Sequence, residues 1–167
     1  MKGIRDLKIV RLSIFCAMTV LLTVATAGCN SSSQVQVERS VEIKQVNKLL
    51  LDKATAGDVE AQYIIGSMYR RGTGVAQDFE EAAKWFRLAA QQGHAPSQNA
   101  LGLLYERGIG VEQMLEKAVY WYRRAAEQGF GPAQTNLGFM YMSGNGVPQD
   151  DCKALDWIKR GSTAARS

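Results

Sequence analysis

The chain has 167 residues, of which 46% are hydrophobic and 22% charged, with a formal net charge of +4, three cysteines and one histidine. That length suits one domain with a single core. The positive charge is concentrated at the start, where Lys2, Arg5, Lys8 and Arg11 stand against Asp6; without the first 28 residues only +1 remains. This gives no basis for nucleic-acid binding, which depends on clustered Lys and Arg releasing phosphate counterions.

The basic stretch ending at Arg11 is followed by an apolar run from Leu12 to Ala27, and residues 1–28 read as an export signal. Sixteen helical residues rise about 24 Å, short of a ~30 Å hydrocarbon core, so a permanent span is the weaker reading. Two processing sites compete. Thr26-Ala27-Gly28-Cys29 resembles a bacterial lipobox, with Thr26 where leucine is usual; Cys29 then becomes a lipidated N-terminus. Ala25-Thr26-Ala27 fits a small-residue cleavage site instead, releasing a soluble periplasmic or secreted chain. Under the first reading residues 29–44, beginning Asn30-Ser31-Ser32-Ser33, form a flexible tether to the membrane. Asn30 after the cysteine resembles outer-membrane lipoproteins facing the periplasm. Cys16 falls in the signal and Cys152 stands alone in the body, so the lipoprotein reading leaves no disulfide framework.

From residue 57 onward the chain repeats itself every 36 residues. Gly57, Gly93 and Gly129 align, as do Gly66, Gly102 and Gly138, and the tyrosines at 69, 105 and 141. Trp85, Trp121 and Trp157 keep the same phase, as do Gln62, Gln98 and Gln134 and a G-x-G-V turn beginning at Gly72, Gly108 and Gly144. Three units follow, 57–92, 93–128 and 129–162, each predicted to be two helices. Ala61, Ile65 and Tyr69 share one face of the first helix. Asp78 caps the second, with Glu81 in the reciprocal capping-box position. Ala82, Trp85 and Ala89 are expected to form the buried side, with Trp85 filling the space left by Gly66.

Before the first unit, residues 45–56 fall in phase with a second helix, placing Leu49 in the tryptophan slot, and read as an N-terminal capping helix. At the other end Gly161 and Ser162 replace alanines, so the last helix is expected to decay and residues 163–167 to fray. Met114 takes the cap position held elsewhere by Asp78 and Asp150, which suggests an exposed contact.

The strings AQYIIGSMYRRGTGVAQDFEEAAKWFRLAAQQG, SQNALGLLYERGIGVEQMLEKAVYWYRRAAEQG and AQTNLGFMYMSGNGVPQDDCKALDWIKRG resemble Sel1-like repeats, relatives of the tetratricopeptide repeat. The resemblance implies an all-α, right-handed solenoid of helix-turn-helix units that binds another protein and is not an enzyme. Some exported members resemble scaffolds, secreted virulence-associated proteins, or immunity proteins that neutralise a toxic effector in the periplasm. The expectations are therefore an adaptor or an immunity protein against an effector such as a phospholipase. A cysteine-rich branch carries a disulfide in each repeat; with Cys152 alone here, nothing of its penicillin chemistry transfers.

In such solenoids the partner groove is lined by the first helices, opposite their buried stripe. The expected contacts are Tyr63, Arg70 and Arg71 in unit one; Asn99, Leu103, Glu106 and Arg107 in unit two; and Phe139 and Met142 in unit three, with Glu60, Ser67, Pro96, Pro132, Thr135 and Ser143 beside them. These positions vary while the packing positions recur. Leu103, Phe139 and Met142 place apolar side chains where a plain monomer favours polar ones. A purely structural reading stands beside this one: the leucine and phenylalanine extend inter-unit packing, and arginines at helix C-termini complement the macrodipole. No metal, cofactor or catalytic constellation can be assembled from one histidine and one thiol, and the G-x-G turns lack the strand of a phosphate loop.

Overall fold

The computed structural model describes residues 48–164. The expected signal (1–28), Cys29, the tether (29–44), the first three residues of the expected capping helix and residues 165–167 of the expected tail lie outside the described residues.

Among the described residues the secondary structure is entirely helical. Helix α1 covers 48–55. Three hairpins follow: α2 (Val59–Arg71) with α3 (Phe79–Gln91), α4 (Ala95–Arg107) with α5 (Leu115–Glu127), and α6 (Gly131–Ser143) with α7 (Asp151–Ala164). From α2 onward the extensive contacts all join consecutive helices, within hairpins and between them. Such nearest-neighbour packing is the solenoid that the repeats imply.

Local chemistry sets the helix ends. Asp58 caps α2 by accepting from the Ala61 amide at 2.7 Å, and Asp78 caps α3 through the amides of Glu80 and Glu81. Pro96 and Pro132 lie in the first turns of α4 and α6, where an N–H would find no helical partner. Each first helix stops at a glycine with left-handed φ, 69° at Gly72, 67° at Gly108 and 69° at Gly144. The hairpins are closed by the amides of Asp78, Met114 and Asp150, which donate to the carbonyls of Tyr69, Tyr105 and Tyr141 at 3.0 Å. This bond takes the Asp78 amide that a capping box assigns to Glu81, whose carboxylate instead pairs with Lys84. Met114 makes no side-chain cap and lies half-buried against the core, correcting the expected exposed contact.

The second glycine of the turn has a different task. A Cβ on Gly110 would lie 2.3 Å from the Phe79 carbonyl carbon, and one on Gly146 2.5 Å from that of Leu115. Each turn therefore rests directly on the start of the preceding hairpin's second helix.

The core departs from expectation by one residue. Phe86 and Tyr122 are fully buried, whereas Trp85, Trp121 and Trp157 are only half-buried. A Cβ on Gly66 would meet the Phe86 ring at 2.8 Å, one on Gly102 the Tyr122 ring at 2.7 Å, and one on Gly138 Ile158 at 2.6 Å. The glycine makes room for the residue after the tryptophan. One step along a helix turns the side chain by about 100°, so Trp85 lies on the flank, where it packs on the separate cluster of Ala54, Ala61 and Ile65. The same offset holds in α1: Leu50 packs on that cluster and Leu49 is 58% exposed.

Buried glutamines join successive hairpins. The side-chain amides of Gln62, Gln98 and Gln134 donate to the carbonyls of Ala54, Ala90 and Ala126 at 3.0–3.1 Å. The amides of Gln92 and Gln128 donate in turn to Gln62 and Gln98. The last helix does not decay at Gly161. It continues to Ala164, and a Cβ on Gly161 would meet Thr135 Oγ1 at 2.5 Å and the Gly131 carbonyl oxygen at 2.8 Å, so the glycine permits close contact of α7 with α6.

Candidate functional site

The first helices α2, α4 and α6 bring the expected partner contacts onto neighbouring elements but give them unequal freedom. Asn136 donates its side-chain amide to Asn99 Oδ1 at 2.9 Å, joining α6 to α4 across this face. Tyr63 is half-buried, its ring 5.9 Å from that of Phe86 and edge-on to His94 at 5.0 Å. His94 fixes the start of α4: Nδ1 lies 2.8 Å from the buried Ser97 hydroxyl and Nε2 3.2 Å from Glu60 Oε1. Glu106 accepts from the Tyr122 hydroxyl at 2.6 Å. Burial first, then this hydrogen bond to a carboxylate, pushes the Tyr122 phenol well above the ordinary tyrosine range. Asn99, Tyr63 and Glu106 therefore have structural partners of their own.

The other expected contacts line clefts or stand exposed. Arg70, Leu103 and Arg107 meet in a cleft of about 220 Å³ with Phe79, Leu104 and Ile109. A second cleft, about 280 Å³, is lined by Tyr63, Ile64, Ser67, Met68, Arg71 and Thr73. Phe139 and Met142 line neither and stand 54% and 42% exposed on α6. That helix is apolar on both sides, since Leu137 and Met140 are buried on its inner face. Thr135 and Pro132 belong to another open cleft at the start of α6, shared with Phe130, Asn136 and Gly161.

Sequence reasoning missed Ile64, which is 43% exposed, and the contributions of Phe79 and Ile109. Ile64 had a readable signal, because the positions 36 and 72 residues on are Ala100 and Asn136 and the slot therefore does not recur. Phe79 and Ile109 reach the cleft through the seating of one turn on the preceding hairpin, which no spacing encodes. Among the described residues no group of three or more His, Cys, Asp or Glu side chains is placed to hold a metal ion, and Cys152 is free and exposed.

The Sel1 repeat family model matches residues 59–94, 95–130 and 131–164. Among solved structures, the chain is similar to a protective antigen present in uropathogenic Escherichia coli strains that displays an SLR fold. The two are 34% identical with a TM-score of 0.71, over 72% of this chain and 26% of that one. It is also similar to a Sel1 repeat protein from Oxalobacter formigenes, at 32% identity and a TM-score of 0.69, over 81% and 56% of the respective chains. Helicobacter pylori cysteine rich protein B shares the fold at 16% identity, with a TM-score of 0.57 over 75% of this chain and 90% of that one. The chain thus spans about a quarter of the first relative's length and just over half of the second's. No curated protein matches it significantly.

Proposed function

Because the chain belongs to the Sel1 repeat family, whose members generally serve as protein-interaction modules and non-enzymatic scaffolds, we propose that it binds another protein along the face of α2, α4 and α6. The observation that carries this reading is the contrast between two sets of positions. The packing glycines and glutamines recur at each step, while the outer slots of the first helices change from Arg70 to Glu106 to Met142 and from Ser67 to Leu103 to Phe139, half-buried in the first two hairpins and exposed in the third. Exposed apolar side chains cost solubility and contribute nothing to this core, which fits contact with a partner.

The basic start, the apolar run and Thr26-Ala27-Gly28-Cys29 support a bacterial cell-envelope location with lipidation at Cys29, on an outer membrane and facing the periplasm. Radiolabelled palmitate incorporated by the wild-type chain and lost in Cys29→Ser checks this; equal labelling of both removes the lipid anchor. Capture from an envelope extract tests the binding face: Phe139→Ser with Met142→Ser abolishes capture while thermal melting stays unchanged. Undiminished capture by that variant would place binding elsewhere. One stoichiometric partner held at nanomolar affinity assigns the protein to immunity against a secreted effector, whereas several weaker partners assign it to an adaptor role.

A further inference from the structure

Seven arginines lie among the described residues, and four have visible work. Arg87 and Arg123 donate to the hydroxyls of Tyr105 and Tyr141, Arg124 to that of Tyr120, and Arg160 pairs with Asp156. Arg70, Arg71 and Arg107, all on the candidate binding face, take part in none of the ion pairs among the described residues. The Nε of Arg70 is buried and has no hydrogen-bond acceptor. A guanidinium N–H removed from water without an acceptor is costly. The Arg70 side chain also lines an open cleft with Arg107, where no carboxylate among the described residues neutralises either charge.

The reason Arg70 is free can be traced to one core substitution. In the second hairpin the matching slot is Glu106, whose carboxylate is held by the Tyr122 hydroxyl. In the first hairpin the residue matching Tyr122 is Phe86, which has no hydroxyl, so nothing from the core engages the polar group above it. Glu60, the other carboxylate on this face, pairs with His94. Around the two guanidinium-bearing chains the cleft is apolar, lined by Phe79, Leu103, Leu104 and Ile109. The arginine slots then become Met142 and Ser143 in the third hairpin, next to exposed Phe139.

Resting on the binding face proposed above, we infer that the partner presents an extended segment in which an acidic side chain lies beside a large apolar one. The carboxylate bonds Arg70 and Arg107, the neighbouring apolar side chain fills the 220 Å³ cleft, and a second apolar residue further along meets Phe139 and Met142. Charge complementarity orients the segment, with its acidic end on the first two hairpins and its apolar end on the third.

The test is a random peptide library selected on the full chain, displayed once with free and once with amidated C-termini. The expected consensus contains Asp or Glu adjacent to Leu, Met or Phe, and survives amidation. A synthetic peptide of that consensus binds at least about tenfold more weakly to Arg70→Gln/Arg107→Gln, as loss of charged hydrogen bonds requires, while both proteins melt alike. An apolar consensus without an acid that is lost in Phe139→Ser/Met142→Ser overturns the acidic segment but keeps the binding face. A requirement for the free C-terminus overturns it in favour of terminal carboxylate capture. No enrichment over that double-serine variant overturns both readings.

Discussion

Phe86 and Tyr122 lie against Gly66 and Gly102, and this ring-on-glycine contact is where single substitutions are expected to act most strongly. Phe86→Ala removes a fully buried ring and is expected to cost about 3–5 kcal/mol, whereas Trp85→Ala, from a half-buried flank, costs roughly half as much. Urea midpoints of the two variants check the order, and a reversed order would return the tryptophan to the centre. Tyr122→Phe loses the bond to Glu106 and about 1–2 kcal/mol at neutral pH. Its effect depends on pH with a defined sign. The unfolded phenol ionises near pH 10 while the folded one, raised by burial and by Glu106, stays protonated. Above that pH the unfolded state therefore binds fewer protons, and stability falls as pH rises. The advantage of wild type over Tyr122→Phe is constant below about pH 9 and shrinks toward pH 11. Urea denaturation at pH 8 and pH 11 measures it, since the other tyrosines are common to both proteins.

Hairpins, as elements, are defined by their turns. Gly93 and Gly110 both have positive φ, 93° and 67°, but a Cβ meets nothing within 4 Å at the first and backbone at 2.3 Å at the second. Alanine at Gly93 is expected to cost about 1–2 kcal/mol, from backbone strain alone. At Gly110 the added methyl must also displace the start of α3, which adds about 1–3 kcal/mol. Equal losses in urea denaturation would show that the second glycine serves the turn and not the junction between hairpins. The hairpin as a unit was readable in the sequence because each unit packs on near-copies of itself, which forces its contact residues to recur. Depth within the core was not readable by the same logic. The tryptophans recur identically, while the residues that meet the glycines are Phe86, Tyr122 and Ile158, a different side chain at each step. Recurrence reports that a position is constrained, and burial depends on how the helix is rotated against its neighbour.

On the scale of all the described residues, stability is a chain of neighbour contacts. The central hairpin is covered on both sides, α1 packs on the first hairpin through Leu50 and Ala54, and α7 leaves Leu155 66% exposed. Amide hydrogen exchange is accordingly expected to be slowest in α4 and α5 and fastest in α1 and α7. Uniform protection across all hairpins would mean a single cooperative core in place of a solenoid. The same arrangement sets the polarity of the candidate binding face, basic over the first two hairpins and apolar over the third.

The 36-residue period by itself determined the all-helical hairpin, its turn, the recurrence of Gln62, Gln98 and Gln134, and the expectation that α1 stands for a second helix. All of these follow from stacking similar units, where one geometry must be met repeatedly by one set of side chains. Only the tertiary structure decided which varying positions are free. Glu106 and Arg70 occupy the same slot, yet one is held by Tyr122 and the other is left open by Phe86. That difference arises between side chains 16 residues apart on facing helices, and it exists only once the two helices are brought together.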